Sequence, residues 1–363
     1  MGNTECSIDR QESLSSIYGL KTIAMLSIFL WHSILTYFFI DIGARACELL
    51  FVISGFLVGY NSFRKDVPAT WNESFNYALK KLYRFWPLHF FTTIILMVLY
   101  IKKFSVAELY KCLVSLCMLQ AWSNNSDIYW ACNGVMWYMS AIMFCYFMSP
   151  LLLKLIKNGI RFSIVIFFIV FFVRFSIDYI KFMYPDELLL INTHVSPVIR
   201  CMEYLMGMLM VPCFMYLKEW SEKMPKIKRI IIFSVIEILV LAGIIYLLIC
   251  HTELGRALYV LAFCPVVFVL ALNKGVISRF LGTKPFKWFS GIQLEFYILH
   301  QAMIKLIYNH AFAGIGNIWI RGLVMFIVVV IAAALYHLLL TDRLADLMKS
   351  VLSRLTGKKI SVH

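Results

Sequence analysis

The chain contains little charge for its length. Of its 363 residues only 15% are Asp, Glu, Lys or Arg, whereas 61% are hydrophobic. Soluble globular proteins carry about 25% charged and 45–50% apolar residues. This composition excludes an ordinary soluble domain and favours an integral membrane protein.

Several common signatures of catalytic and binding sites are also missing. The ten cysteines include no Cys-x-x-Cys pair, and there is no metal-ligand spacing, glycine-rich phosphate loop or Gly-x-Ser-x-Gly motif. Metallohydrolase, P-loop and serine-hydrolase interpretations therefore have no support. Because most cysteines lie inside apolar runs, we interpret them as small buried residues rather than as disulfides or metal ligands. Neither a metal nor a bound cofactor is expected.

Long polar segments are absent too, and apolar runs recur along nearly the whole chain. A helix needs about 20 mostly apolar residues to cross a bilayer. We predict an all-α bundle of about ten transmembrane helices in residues 17–340, with a tail at 1–16 and a basic, amphipathic tail at 341–363. The apolar stretch 113–122 is too short to cross the bilayer, and residues 123–134 are predicted to form an external loop. The predicted spans are 17–39, 44–60, 87–101, 135–156, 160–180, 197–217, 230–250, 254–272, 290–308 and 318–340.

Negative charge is scarcer than positive charge, with 20 acidic against 34 basic residues and a net charge of +14. If the N-terminus is cytoplasmic and the spans alternate, most Lys and Arg residues fall on the inner side. This bias predicts cytoplasmic N- and C-termini in a bacterial inner (plasma) membrane. Basic loops against the anionic headgroups of the lipid bilayer explain the charge, so no nucleic-acid partner is expected.

Ionisable residues inside the first predicted span mark a candidate cavity, because such residues are costly in lipid and usually serve a function. Lys21 and His32 are 11 residues apart, which places both on one helix face roughly 16 Å apart. Polar groups at two depths suggest a cavity that crosses most of the bilayer. The alternative is a snorkelling lysine and a histidine bonded to a neighbouring helix.

Glu48 lies in the second predicted span, at a depth similar to that of His32. The loop between the two spans is short, so the helices are expected to be antiparallel neighbours and the two side chains can meet. A carboxylate that orients an imidazole raises its basicity, which suits a general base. A structural ion pair is the alternative. Ser54 and Gly55 are interpreted as helix-packing residues.

Further polar residues lie at or near the ends of other predicted spans. Lys80, Lys81 and Arg84 can bind the phosphates of a nucleotide-like donor, or can be ordinary positive-inside charge. The segment 137–140 can be an aromatic belt. Arg200 and Glu203 lie on one helix face and can simply pair with each other. Glu295 and His300, five residues apart, are not expected to share a ligand.

Taken together these elements resemble the acyltransferase-3 family of membrane O-acyltransferases. The resemblance covers nearly the whole chain, and its motifs occur in the expected order. One departure is Ile142, which stands where many members have Glu, so any role of that carboxylate is absent here. The matching positions are Lys21 and His32, the run from Glu48 to Ser54-Gly55-Phe56-Leu57, Lys81 and Arg84 before Pro87, Trp137, Ser140, Tyr146 and Pro150, the run from Arg200 through Glu203 to Gly207, and Ser290, Tyr297 and His300.

The resemblance implies transfer of an acyl group, most often acetyl, from cytoplasmic acyl-CoA to a hydroxyl of a surface or lipid-linked glycan. It implies that His32, oriented by Glu48, acts as a general base or forms an acyl-histidine. The remaining expected site residues are Lys21, Lys81 and Arg84 for the donor, and Trp137, Ser140, Arg200, Glu203 and His300 for the acceptor or its pocket.

A transporter or exporter is the competing class. In that case the same polar spans line a path for a small molecule or an acylated glycan precursor, and no bond is made. This alternative predicts flux without any requirement for CoA.

Overall fold

The computed structural model of the protein describes residues 14–34, 42–100, 105–184, 192–250, 256–308 and 314–356. Every regular element within these ranges is a helix. The first eight are α1 (Ser15–Ser33), α2 (Ile42–Ser62), α3 (Trp71–Tyr100), α4 (Val106–Leu116), α5 (Ser126–Tyr129), α6 (Met136–Lys157), α7 (Ile160–Met183) and α8 (Pro197–Leu209). The next eight are α9 (Val211–Glu222), α10 (Lys226–Cys250), α11 (Arg256–Ala271), α12 (Val276–Leu281), α13 (Lys284–Gly291), α14 (Gln293–Met303), α15 (Ile318–Tyr336) and α16 (Asp342–Thr356).

The described helices confirm an all-α membrane bundle. Seven helical stretches are long and apolar enough to cross a bilayer, and three of these are only 17% buried: Ile160–Met183, Lys226–Cys250 and Ile318–Val351. Their exposed residues are mostly large hydrophobic ones, such as Phe168 and Leu239. An apolar surface of this extent requires lipid around it.

The predicted spans differ from the helices in detail. Helix α3 begins at Trp71 and runs through Pro87, so the basic segment before Pro87 is part of a membrane helix. The predicted span 197–217 consists of α8 and α9, which meet at Met210 just before Pro212. Helices α1, α11 and α14 are shorter or less apolar than the seven, so the predicted count of about ten is not established. The residues 123–134 predicted as a loop contain one turn of helix, α5.

Helix α2 forms the centre of the bundle, and 83% of its apolar 18-residue stretch is buried. It packs backbone to backbone against α8. A Cβ atom added at Gly55 would lie 1.7 Å from the Tyr204 carbonyl oxygen, and one at Gly207 would lie 2.0 Å from the Val52 oxygen. No side chain fits at either position, so the two glycines fix how closely the helices approach.

Replacing Gly55 by Ala therefore should force α2 and α8 apart. We expect the Gly55→Ala protein to lose about 1–3 kcal/mol of stability, which is typical of overpacking. Thermal unfolding in detergent measures the effect. The matched control is Gly243→Ala on α10, because a Cβ atom there meets nothing within 4 Å. Equal melting temperatures for Gly55→Ala and the wild type would contradict the close contact.

Candidate active site

A cavity of about 340 Å³ opens between α1, α2, α3, α6 and α14. It is lined by all three cations that the sequence suggests for the donor: Lys21 from α1, and Lys81 and Arg84 from α3. Lys80, the fourth cation of that group, does not line the cavity. The structure therefore separates one basic residue of this segment from the other two.

The three cavity cations have no acidic partner. Within the described ranges, none of them forms a salt bridge with a carboxylate. The Lys81 ammonium group lies 5.4 Å from the Tyr77 ring and 5.6 Å from the Tyr146 ring, where cation–π attraction holds it. Three positive charges without a carboxylate partner in the described part of the chain favour an anionic ligand in this cavity.

The start of helix α14 adds to this positive field. Ser290, Gly291 and Gln293, at the junction of α13 and α14, line the same cavity. The side-chain amide of Gln293 donates to the Lys21 carbonyl oxygen at 3.2 Å, which ties α14 to α1. A helix N-terminus presents unsatisfied N–H groups and partial positive charge, and it favours phosphate groups.

His32 and His300 form a pair deeper in the bundle. Their ring centroids are 5.2 Å apart, and Nε2 of His300 lies 3.4 Å from Nδ1 of His32. His300 is fully buried, whereas His32 is partly exposed. The partner of His32 is thus a residue of α14, 268 positions along the chain.

Backbone carbonyl groups fix the tautomers of both neutral rings. Nδ1 of His32 lies 2.9 Å from the Ile28 oxygen, and Nδ1 of His300 lies 2.7 Å from the Tyr297 oxygen. Because a carbonyl oxygen can only accept, each Nδ1 carries the proton. Nε2 of His300, at 3.4 Å, then shares the single Nδ1–H of His32 with the Ile28 oxygen in a three-centre hydrogen bond. Nε2 of His32 carries a lone pair, and this is the nitrogen that can take a proton from a substrate.

Tyr297 connects the cavity to the histidine pair. Its side chain lines the cavity, and its ring centroid is 5.6 Å from that of His300. Its hydroxyl donates to the Val135 oxygen at 2.6 Å, and its ring lies 5.4 Å from that of Tyr138. One residue therefore contacts both parts of the site.

Glu48 does not orient His32, so this part of the prediction is wrong. Its carboxylate accepts from Arg45 at 2.7 Å and lies 3.6 Å from Arg200. The two arginines hold a buried carboxylate far more strongly than a neutral imidazole can. Among the described residues the ring nitrogens of His32 contact only Ile28 and His300.

The same carboxylate belongs to a buried cluster of six ionisable residues that joins α2, α7 and α8. Arg200 donates to both carboxylate oxygens of Glu203 at 2.7 Å, and Arg174 lies 3.7 Å from Glu203 and pairs with Asp178. Asp178 also accepts the Ala257 N–H at the start of α11. Three arginines face three carboxylates, so the formal charges of these six residues balance. Its members are Arg45, Glu48, Arg174, Asp178, Arg200 and Glu203.

The residues predicted to contact the acceptor are enclosed in this structure. Arg200, Glu203 and His300 are fully buried, and Trp137 is 3% exposed. Ser140, which is 1% exposed, donates to the Met118 oxygen at 2.6 Å and so fixes the segment between α4 and α6. None of the five presents a free surface, so of the two predicted roles, contact with the acceptor or part of its pocket, their burial favours a supporting position in the pocket.

The side chains exposed beside this cluster were missed by sequence reasoning. Trp130 is 41% exposed, and its ring lies 5.9 Å from that of His194. The His194 ring lies 4.6 Å from that of Trp137 and is tilted by 48°, and the His194 carbonyl oxygen accepts from Arg200 at 2.7 Å. Burial, and then the nearby positive charges of Arg256 and Arg200, hold the pKa of His194 well below its usual range. His194 is therefore neutral at physiological pH.

Residues 132–135, which we term the outer segment after the external loop predicted from the sequence, are bound tightly to the helix that carries His300. Besides the bond from Tyr297, Asn133 donates to the Ile298 oxygen at 2.8 Å and the Val135 N–H donates to the Gln301 side chain at 2.9 Å. Lys305 donates to the Cys132 oxygen at 2.9 Å. No periodic pattern marks these residues in the sequence, so the four contacts could not be predicted.

Two other buried carboxylates have structural partners. Glu237 accepts the N–H groups of Gly275, Ile277 and Ser278, and so caps the N-terminus of α12. Glu295 accepts from His337 and Thr341 at 2.9 and 3.0 Å. Its hydrogen-bond partners differ from those of His300, which contacts Tyr297 and His32.

Glu48→Gln tests whether Glu48 stabilises the bundle through the charge cluster or instead orients the His32 ring. The change leaves two arginines facing one fewer negative charge, so we expect a loss of about 3–5 kcal/mol of stability. Thermal unfolding in detergent measures it. The control is Asp66→Asn, which removes an exposed partner of Lys157 and should leave stability unchanged. A stable Glu48→Gln protein that lacks activity would instead favour a catalytic role.

Comparison with known proteins identifies the family. The family model described as an acyltransferase domain, of the acyltransferase-3 type, matches residues 14–337, from the start of α1 to the end of α15. No curated protein and no solved structure matches the chain. The matched region contains the cation-lined cavity, the histidine pair and the buried charge cluster. The chain therefore belongs to the acyltransferase-3 family and is a membrane acyltransferase.

Proposed function

We propose that this protein moves an acetyl group from acetyl-CoA to a hydroxyl of a surface or lipid-linked glycan. The observation that carries the proposal is the arrangement of two parts on either side of Tyr297. One is a cavity with three unpaired cations, and the other is a histidine pair with an unprotonated nitrogen.

Charge supports this position for the donor. CoA carries its phosphates at one end and its thioester at the other, joined by a narrow pantetheine arm. Lys21, Lys81, Arg84 and the α14 N-terminus would bind the phosphates. The arm would then follow the cavity wall towards Tyr297, which leads from the cavity to His32 and His300.

His32 supplies the base. Nε2 of His32 takes the proton of the acceptor hydroxyl as its oxygen attacks the thioester carbonyl carbon. The C–S bond breaks, and the CoA sulfur leaves with the proton that His32 returns. His300 holds the His32 ring by accepting from Nδ1, which keeps the lone pair on Nε2. In the alternative route Nε2 itself attacks the thioester and forms an acyl-histidine.

The acceptor would approach from the end of the bundle opposite to the cavity cations. The half-exposed Trp130 offers an aromatic face there, and His194, beside it, offers an N–H. Nδ1 of His194 lies 3.5 Å from an Arg200 amino group and accepts from it, which leaves the proton on Nε2. A ring face and a hydrogen-bond donor suit a sugar, whose apolar C–H face stacks on Trp.

The positive-inside bias supports a bacterial inner membrane location with both termini and the cavity cations on the cytoplasmic side. That side is also where acyl-CoA is available. A transporter would use the same spans without CoA. The unpaired cations at one end of the bundle and the family match favour the transferase.

His32→Ala should remove the base and leave the donor site intact. We expect acyl transfer to fall by about 10²–10⁴-fold, the usual contribution of general-base catalysis. Transfer of radiolabelled acetyl groups from acetyl-CoA to membrane glycans measures activity, and calorimetry on the purified protein measures acetyl-CoA binding. Binding should be retained. Full activity in this variant would contradict the assignment of His32.

Arg84→Ala should weaken donor binding more than it slows the chemical step. Loss of one charge-assisted hydrogen bond should raise KM for acetyl-CoA by about tenfold. The matched control is Lys80→Ala, which removes an exposed cation of the same helix that does not line the cavity. An equal rise in KM for both variants would show that only the general positive charge of this face matters.

A further inference from the structure

Three sulfur atoms meet beside the outer segment, away from the histidine pair. The Cys132 thiol lies 3.6 Å from the sulfur of Cys112, on α4, and the Cys112 sulfur lies 3.0 Å from the Met97 sulfur, on α3. Both cysteines precede α6 and follow the candidate span of α3, so they lie outside the spans. In this structure both are thiols.

We propose that Cys112 and Cys132 are a modification site, at which a disulfide forms and ties the outer segment to α4. The two sulfurs need to approach by only about 1.6 Å to reach bonding distance. The proposal does not depend on the acyl-transfer reaction.

The backbone around Cys132 explains why the pair is held in place. Cys132 has φ 54°, a left-handed conformation that a residue with a side chain adopts only when its surroundings require it. The four hydrogen bonds between the outer segment and residues 297–305 hold this backbone from one side. A bond to Cys112 would hold it from the other side, so the segment packed on the His300 helix would be fixed on both.

The location of the pair suits oxidation. The basic residues Lys80, Lys81 and Arg84 lie in the first half of α3, and the segment with both cysteines follows its other end. The positive-inside bias assigns that end to the outer face, where disulfides persist. Burial raises the pKa of both thiols, that of Cys132 to about 12, so thiolate is scarce at neutral pH and the reaction with the oxidant requires mildly alkaline pH and long incubation.

The reaction needs a disulfide oxidant, either a protein disulfide on the outer face or a small-molecule disulfide. One cysteine thiolate attacks the oxidant and releases one of its sulfurs as a thiol, which forms a mixed disulfide. The second cysteine thiolate then attacks the first cysteine sulfur and releases the other half of the oxidant. Two cysteine thiols lose two protons and two electrons, and one oxidant disulfide becomes two thiols.

The structure provides an internal control. Cys145 and Cys201 are also in hydrogen-bonding contact, but they belong to α6 and α8 inside the bundle. Each pair combines one buried and one half-buried thiol, so burial does not distinguish them. The Cys145–Cys201 pair lies within candidate membrane spans, where a soluble oxidant would have to enter the lipid, whereas Cys112 and Cys132 lie outside the spans. If proximity alone decided the outcome, both pairs would oxidise. We expect only Cys112 and Cys132 to form a disulfide.

The experiment incubates the purified wild-type protein with glutathione disulfide, blocks the remaining thiols with N-ethylmaleimide and maps the peptides by mass spectrometry. We expect a peptide pair joined through Cys112 and Cys132, with Cys145 and Cys201 alkylated. The linked pair should be absent from Cys112→Ser, and the apparent melting temperature should rise on oxidation in the wild type only. Separate alkylation or glutathionylation of Cys112 and Cys132 would overturn the proposal, as would equal oxidation of both pairs. Because the mapping uses the wild type, it holds even if the variant fails to fold.

Discussion

A charge inside a lipid-surrounded bundle is stable only if another charge compensates it, and the structure depends on this constraint. Burying an ion costs several kcal/mol even after the protein relaxes, so an unpaired buried charge is strongly destabilising. The described part of the chain solves this with a cluster of three arginines and three carboxylates, whose formal charges balance. The cluster joins α2, α7 and α8, and it caps α11. It stabilises the bundle by satisfying groups that could not otherwise be buried.

The same constraint distinguishes the buried charge cluster, which stabilises the fold, from the cations of the cavity. Lys21, Lys81 and Arg84 have no such compensation, although Lys21 is partly buried. A partly buried cation such as Lys21 is kept near a cavity at a cost in stability, and an anionic ligand would remove that cost when it binds. The histidine pair follows a different rule. Two neutral imidazoles can be buried together because backbone carbonyls accept their protons, and one nitrogen is left free to act as a base.

Much of the fold and part of the site could be predicted from the sequence. Apolar runs and the basic bias predicted a helical membrane bundle, and the 11-residue spacing of Lys21 and His32 placed them on one face of a helix that contributes to the site. The partner of His32 could not be predicted, because helix neighbours far apart in sequence are decided by packing. Gly55 and Gly207 bring α2 against α8, and Glu48 is thereby placed beside Arg200 rather than beside His32.

The residues that were missed share one property. Trp130, Asn133 and Cys132 lie in an irregular segment, where neither a helical nor a strand period exists to mark a face. Hydrogen bonds to α14 and to the π-helical turn Ile304–Tyr308 hold Asn133 and Cys132, and ring contacts with Trp137 and His194 hold Trp130. Only the folded chain brings these partners near. Glu237 and Glu295 are the opposite case. As ionisable residues in apolar spans they suggest a functional role, whereas in the structure Glu237 caps α12 and Glu295 accepts from His337 and Thr341.

The central claim is that donor and acceptor reach His32 from opposite faces of the membrane. It is tested most directly in liposomes containing protein of one orientation, with radiolabelled acetyl-CoA supplied on one side and membrane glycan on the other. We predict transfer only when acetyl-CoA is on the side of Lys81 and Arg84. Equal transfer with acetyl-CoA on either side of sealed liposomes, or transfer only from the opposite side, would contradict the account.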